Sequence, residues 1–305
     1  MDKIKLILKP RAGLGNRMRA IASFIYLKKE LNAELYVIWT PDKGLNAAYR
    51  DIFELNPHFK LLDSYPEFQF LITRYRLTAG NLFLIKPLVR FYNNLVKRLI
   101  KVDYLVFDDD IRKGYNHVKG ICQKNKTVFI NTGGDIRDYP EGLRSFVPTA
   151  KIRNKINEKL IDFKGKTIGI HIRRTDHKKS IENSPRVLFE QKIEFYLQKY
   201  HNDVYFFLAT DDPEIENFLH QKYQGNIITY SKTFGRDSME GMRDAVVELF
   251  LLSKTSKIYG SFWSSYSMIA AKLSGIEIDI LQVNPAKSSG SDRSTKEIQV
   301  LTTKK

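Results

Sequence analysis

Thr167-Ile168-Gly169-Ile170-His171-Ile172-Arg173-Arg174-Thr175-Asp176 is the stretch on which the fold turns. Its first half is apolar and rich in β-branched residues, so it reads as a buried strand. Its second half carries two adjacent arginines, a threonine and an aspartate. Two guanidinium groups at a strand end are costly to bury without anions. In an open α/β sheet, ligands bind in the crevice outside the carboxyl ends of the strands. Arg173 and Arg174 are therefore candidates to hold a diphosphate. The plainer alternative is a surface ion pair that follows a core strand.

Beyond this stretch the alternation of elements is regular. Strands are expected at 167–173, 204–209, 226–230, 256–260 and 277–283, with helices at 185–200, 213–223, 239–254 and 264–274. That order predicts a doubly wound parallel sheet. Val204-Tyr205-Phe206-Phe207-Leu208-Ala209-Thr210-Asp211-Asp212-Pro213 is a strand that ends in two acids, followed by proline at a helix start. One of Asp211 and Asp212 could accept hydrogen bonds from a base or ribose while the other caps the helix. A double-acid cap is the alternative. Lys257-Ile258-Tyr259-Gly260-Ser261-Phe262-Trp263-Ser264-Ser265 repeats the geometry, with two serines at a helix start. They could present hydroxyls and N–H groups to a phosphate, or serve as a plain serine cap. Together these residues set guanidinium groups, carboxylates and helix-start donors at one edge of one sheet. That set matches the phosphates and the base or ribose of a nucleotide sugar.

In the other direction, 139–165 reads as a boundary, with Pro140, Gly142, Pro148 and Gly165 around a polar amphipathic helix at 150–163. Residues 1–150 then form one α/β domain and 151–305 a second, closed by a polar tail expected to be loosely held at its end. The first domain opens on the strand Lys5-Leu6-Ile7-Leu8-Lys9, the turn Gly13-Leu14-Gly15-Asn16-Arg17 and a helix. The glycines would let the backbone approach an anion at a helix N-terminus. The third glycine of the dinucleotide fingerprint is absent, and a tight strand-to-helix turn is the alternative. More strands are expected at 35–39, 59–62, 103–107 and 127–131. Asp108 and Asp110 have the Asp-x-Asp spacing of a divalent-ion site, against the alternative of an acidic turn. A helix at 81–100 sets Leu84, Leu88, Phe91, Leu95 and Leu99 against Lys86, Arg90, Lys97, Arg98 and Lys101. Such a face could lie on an anionic membrane or pack on the core with a solvated basic side.

The 305 residues exceed what one core ordinarily needs and suit two domains. Hydrophobic content of 43% and charged content of 28% describe a globular protein. The net charge of +16 favours anionic substrates, polyanions or acidic membranes without choosing among them. Cys122 is the only cysteine, so intramolecular disulfides and cysteine-based zinc sites are excluded. A reducing, cytoplasmic setting is expected, with peripheral membrane contact. The first residues lack the length and flanks of a signal peptide.

His171-Ile172-Arg173-Arg174-Thr175-Asp176, Leu208-Ala209-Thr210-Asp211-Asp212-Pro213, the run 243–252 and Phe262-Trp263-Ser264-Ser265 resemble the α1,6-fucosyltransferases and nodulation fucosyltransferases. These share a GT-B architecture with α1,2- and protein O-fucosyltransferases. The resemblance is specific over roughly residues 165–275 and in the first half is confined to 13–17. It implies two Rossmann-like domains, a GDP-fucose donor held mainly by the second, the first serving the acceptor, and inverting transfer to a glycan or glycolipid hydroxyl without a metal. It implies that Arg173 and Arg174 hold the donor phosphates, with His171 in the same strand, and that Asp211 and Asp212 lie near the guanosine. Glu248 stands where related enzymes carry a donor-site acid, Ser264 and Ser265 on the phosphate side, and Asn16 near the diphosphate. Glu182 matches the catalytic acid, although 177–185 departs from the family pattern. Asp176 is a second candidate for the base, or else orients Arg174. Two rival expectations remain: a metal-dependent sugar-nucleotide transferase using Asp108 and Asp110, and a non-enzymatic binder of nucleic acid or acidic glycan. No nucleic-acid motif supports the second.

Overall fold

The computed structural model describes residues 3–62, 86–175, 178–201, 203–235, 237–283 and 298–302. The chain divides into two compact units, Met1–Val147 and Pro148–Lys305. Asp176 and the expected helical residues 81–85 lie outside the described residues.

The first unit contains β1 (Lys5–Pro10), α1 (Leu14–Leu31), β2 (Glu34–Val37), α2 (Tyr49–Ile52), β3 (Lys60–Leu61), α3 (Lys86–Leu99), β4 (Tyr104–Phe107), α4 (Asp108–Arg112), α5 (Tyr115–Gln123), β5 (Thr127–Thr132) and α6 (Pro140–Arg144). Its parallel sheet runs β3-β2-β1-β5-β4. Strands buried on both faces read as continuous apolar runs, and Leu6, Leu8, Val128 and Ile130 are all fully buried. The segment read as a strand running into acid is a strand followed at once by α4, with Asp108, Asp109 and Asp110 in its first turn. Carboxylates there answer the unpaired N–H groups of a helix start.

The second unit contains α7 (Ala150–Leu160), β6 (Thr167–Ile172), α8 (Lys178–Asn183), α9 (Arg186–Lys199), β7 (Tyr205–Thr210), α10 (Pro213–Lys222), β8 (Ile227–Ile228), α11 (Met239–Leu252), β9 (Ile258–Ser261), α12 (Ser265–Ser274), β10 (Ile278–Val283) and β11 (Ile298–Thr302). Its sheet runs β11-β10-β9-β6-β7-β8. All its pairings are parallel except β10 with β11. The tail expected to be loose therefore returns as an antiparallel edge strand, with Val283 opposite Ile298. β6 is central and every residue of it is buried. Gly169 is needed there. A Cβ at that position would lie 2.7 Å from Leu252 Cδ1 and from Thr255 Oγ1. The core joins Ile168, Ile170 and Ile172 to Phe189, Ile193, Phe206 and Leu208.

Candidate functional site

In the second sheet the chain goes from β6 to β7 and β8 on one side, then comes back to β9 and β10 on the other. The reversal lies between β6 and β9, where a doubly wound sheet has its ligand crevice. Residues 173–175 follow β6 there, and residues 262–264 follow β9.

Ser261 joins the two strand ends. Its hydroxyl accepts the Arg173 N–H at 3.0 Å and donates to the His171 carbonyl at 3.2 Å. Asp211, at the end of β7, gathers the next three groups. Its carboxylate accepts the Arg174 N–H at 2.7 Å and the Thr175 hydroxyl at 2.9 Å, and lies 3.5 Å from Arg173 Nε. Burial pushes the Asp211 carboxyl up, but the Arg174 N–H, the Arg173 charge and the Thr175 hydroxyl outweigh it. Together they hold the carboxyl below its ordinary range.

The two arginines do different work. Arg174 is 8% exposed, and its guanidinium donates to the carbonyls of Arg173 at 3.2 Å and Ser184 at 2.9 Å. Ser184 is fully buried; its hydroxyl donates to the Leu281 carbonyl and accepts the Phe262 N–H at 2.7 Å. Ser180 adds a hydrogen bond to the Phe262 carbonyl at 2.8 Å. Arg174 thus braces the loop that follows β6 against the one that follows β9. The Arg173 side chain is 18% exposed and meets Asp211 only at long range. Both were expected to hold a phosphate; the Arg174 guanidinium is engaged here by backbone carbonyls. Arg173 is the cation presented at the edge, and Arg174 shapes the loop that presents it.

Asp212 is the N-cap of α10 and accepts from the N–H groups of Glu214 at 2.9 Å and Ile215 at 3.4 Å. Both acids of the pair are thus engaged by protein donors, Asp211 at the arginine loop and Asp212 at the cap. Ser264 is the N-cap of α12 with no side-chain capping hydrogen bond, and Ser265 is the first helical residue. The first-turn N–H groups of α12 therefore face the edge without a side-chain acceptor from the cap, an arrangement suited to an anion. Trp263, just before them, is 64% exposed and has φ 57°, a left-handed conformation rare for a bulky residue. Lys179 Nζ stands 4.6 Å from its ring centroid. His171 is 5% exposed in β6, with its ring 5.0 Å from that of Tyr266.

Three further sequence candidates have partners of their own. Glu248 is buried in α11 and ion-paired with Lys232 at 2.6 Å, and Lys232 also meets Glu216 at 2.6 Å. Burial raises the Glu248 carboxyl to about 7 against the pull of Lys232. Its carboxylate, expected as a donor-site acid, belongs to an ion cluster with Lys232 and Glu216. Glu182 is 58% exposed on α8, with Lys178 at 4.0 Å, and no structural contact ties it to the arginine loop among the described residues. Asn16 is half-buried in the first turn of α1 and accepts from Arg19 at 3.3 Å.

The Asp-x-Asp pair is split between two structural tasks. Asp108 pairs with Arg11 and accepts the Thr132 hydroxyl at 2.6 Å. Asp110 is 1% exposed, accepts the Phe107 N–H at 3.3 Å and lies 3.3 Å from His117 Nε2. The acidic-turn reading describes both.

Ser184, Ser261 and Lys232 were not singled out in the sequence. A lone serine or lysine beside an element end carries no periodic or motif signal, and their partners lie on distant segments.

No family model matches the sequence, and no curated protein matches it. Solved structures do match its fold. NodZ α-1,6-fucosyltransferase soaked with GDP-fucose superposes with a TM-score of 0.63 at 16% identity, over 99% of this chain and 99% of that one. A variant of Arabidopsis thaliana FUT1 in complex with GDP gives 0.60 at 17% identity, over 92% of this chain and 70% of the other. POFUT1 in its apo form gives 0.53 at 11% identity, over 90% and 96%. The chain has the α/β fold of these fucosyltransferases, with a Rossmann-like sheet in each of its two units.

Proposed function

We propose that this protein is a fucosyltransferase that moves fucose, or a related deoxysugar, from a GDP-sugar donor to a glycan hydroxyl, with inversion and without a metal. One observation carries the reading. Arg173 stands partly exposed beside the N-terminus of α12 at the strand-order reversal, on a loop braced by Asp211, Arg174 and Ser184. Leaving-group departure puts charge on the diphosphate. A guanidinium answers that charge with a bidentate fork that an ammonium does not copy. Helix-start N–H groups add fixed positive potential, and preorganised donors need no rearrangement as the charge grows. The fold likeness to NodZ soaked with GDP-fucose and to FUT1 bound to GDP supports GDP as the nucleotide. The proton acceptor is a carboxylate near the acceptor hydroxyl. Glu182, exposed on α8, and Asp176 are its candidates.

Thermal shifts with GDP, GDP-fucose, UDP and dTDP test the donor, because a ligand that binds only the folded state stabilises it. GDP and GDP-fucose are expected to raise the melting temperature above the shift given by UDP or dTDP. Equal shifts with all nucleotides, or none, would overturn the assignment. Turnover that persists in EDTA is expected, and its loss would favour the metal-dependent alternative.

A further inference from the structure

Helix α3 has an apolar arc wider than the core beneath it. At about 100° per residue, positions three and four apart share a face. Val96 and Ile100 are 3% exposed and pack with Ile7, Ile38, Val102, Leu105, Phe107 and Phe129, with Tyr92 alongside. The adjacent line at 88, 91, 95 and 99 is equally apolar but uncovered. Leu88 is 67% exposed, Phe91 69%, Leu95 43% and Leu99 42%. Large apolar side chains exposed singly are ordinary, whereas four in a row along one helix mark an interaction surface.

The charge beside this line selects the partner. Arg98 is exposed on its flank, Lys101 is exposed just past the last turn, and Lys97 lies on the opposite side of the helix. Asn94, Lys97, Arg98, Lys101, Val102 and Asp103 enclose an open pocket of about 420 Å³ at the C-terminal end of α3. Asp103, its one acid, accepts the Thr127 N–H at 2.8 Å and is partly spent on the sheet. A helix with one apolar line, one basic flank and one face fixed to a folded body is built to lie in a lipid interface. A protein partner's apolar groove would not call for the cations, and a nucleic acid would not call for the leucines and phenylalanine.

We propose that α3 is a membrane-docking element. Leu88, Phe91, Leu95 and Leu99 enter the headgroup–acyl boundary of an anionic bilayer, and Arg98 and Lys101 contact its phosphates. The chain's net charge of +16 adds a long-range attraction to the same surface. This inference stands on the first unit alone and does not depend on the identity of the sugar donor.

Co-sedimentation of the full chain with vesicles tests it. The protein is expected to pellet with phosphatidylcholine vesicles that contain phosphatidylglycerol, to stay in solution with phosphatidylcholine alone, and to be released by salt. The double variant Leu88→Glu/Phe91→Glu is expected to lose binding without a change in melting temperature, since both side chains are exposed. Replacing Arg98 and Lys101 by glutamine is expected to lower partitioning about twenty-five-fold, each basic residue near an anionic surface being worth roughly fivefold. Equal binding to both vesicle types, or undiminished binding by the double variant, overturns the proposal. So does light scattering that shows a dimer which Phe91→Glu makes monomeric and which ignores vesicles; a second copy would then cover the line.

Discussion

The first sheet reverses its strand order between β1 and β5, the second between β6 and β9. In each unit the arginine that follows the strand at the reversal, Arg11 after β1 and Arg173 after β6, pairs with an aspartate at the end of another strand, Asp108 after β4 and Asp211 after β7. In the first unit Arg17, in the first turn of α1, is 1% exposed. It donates to the carbonyls of Ala12 at 2.9 Å and Thr40 at 2.7 Å and to Asp42 at 2.6 Å, with its guanidinium 5.1 Å from the centre of the Trp39 ring. Its donors are consumed in fixing the turn. In the second unit Arg174 takes that bracing part, and Arg173 is left partly exposed next to the α12 N-terminus. In both units, then, the arginine that follows the strand pairs with an aspartate and keeps part of its side chain exposed, 25% for Arg11 and 18% for Arg173, while the second arginine braces the turn. The difference lies in the ion pair: Asp108 meets Arg11 in close contact, whereas Asp211 stands 3.5 Å from Arg173 Nε and is shared with the Arg174 N–H and the Thr175 hydroxyl.

The sharpest way to break this contrast is at Arg173. Arg173→Ala is expected to keep its melting temperature and to lose about 10²–10³ in kcat with a GDP-sugar, the usual cost of one charge-stabilising donor. Arg173→Lys should recover only part of it, because the fork is lost. Full turnover in Arg173→Ala would remove the second unit's claim to the diphosphate. Arg17→Ala is expected to behave in the opposite sense. Two orphaned carbonyls and a void beside Trp39 should cost about 2–4 kcal/mol in denaturant unfolding. A stable Arg17→Ala protein that no longer responds to GDP would mean that the first turn, too, faces the donor.

Glu248 gives the second unit a pH dependence of its own. Its folded pKa of about 7 lies above the ordinary 4.5, so the folded state holds the proton more tightly than the unfolded state. Stability from this group is complete below pH 4.5 and falls as pH rises towards 7, by roughly 3 kcal/mol at most. Asp211 has the reverse sign. Its carboxyl is held below 3.8, and its contribution is lost only as pH falls beneath that value. Melting curves of Glu248→Gln between pH 4.5 and 7 should be flatter than those of the parent protein. An unchanged slope would show that Lys232 keeps Glu248 ionised throughout. Arg174→Ala comes next in size. It leaves the Ser184 and Arg173 carbonyls without their donor and should cost about 1–3 kcal/mol, with turnover falling through a disordered loop. If Arg174→Ala kept full stability and lost only kcat, the division of labour between the two arginines would be wrong.

Much of this was legible because it is periodic. The β-branched run at 167–172 and the aromatic, apolar run at 204–209, spaced by helical patterns, point to a doubly wound sheet, and its carboxyl edge points to Arg173, Asp211 and Ser264. What was not legible depends on contacts between distant segments. Ser261 meets Arg173 across 88 positions and Ser184 meets Phe262 across 78, and both contacts exist only once β9 lies beside β6. The division between Arg173 and Arg174 is hidden for the same reason, since adjacent identical residues differ only in where the fold points them. The helix at Asp108–Arg112 leaves no mark in the sequence, because five residues are too few to show a period. Residues 298–302 offer too short an apolar run to announce an edge strand that forms by pairing with β10.

Trp263 gives the smallest effect and the most specific answer. Its left-handed backbone costs a side chain roughly 1–2 kcal/mol relative to glycine. Against that, Trp263→Gly loses the edge-on contact with Phe262, centroids 5.8 Å apart, and the Lys179 cation above the ring. At an exposed site such contacts are worth about 0.5–1 kcal/mol each. The terms nearly cancel, so Trp263→Gly should change unfolding stability by less than about 1 kcal/mol. Strain of this kind persists where the surroundings impose it, and it gathers at ligand-facing loops. With stability held level, kinetics can be read directly: a raised KM for donor or acceptor would place the ring against that substrate. Unchanged KM and kcat would leave the left-handed turn as the means by which β9 enters α12, and the proposed donor site of the second unit would then rest on Arg173 and the helix start alone.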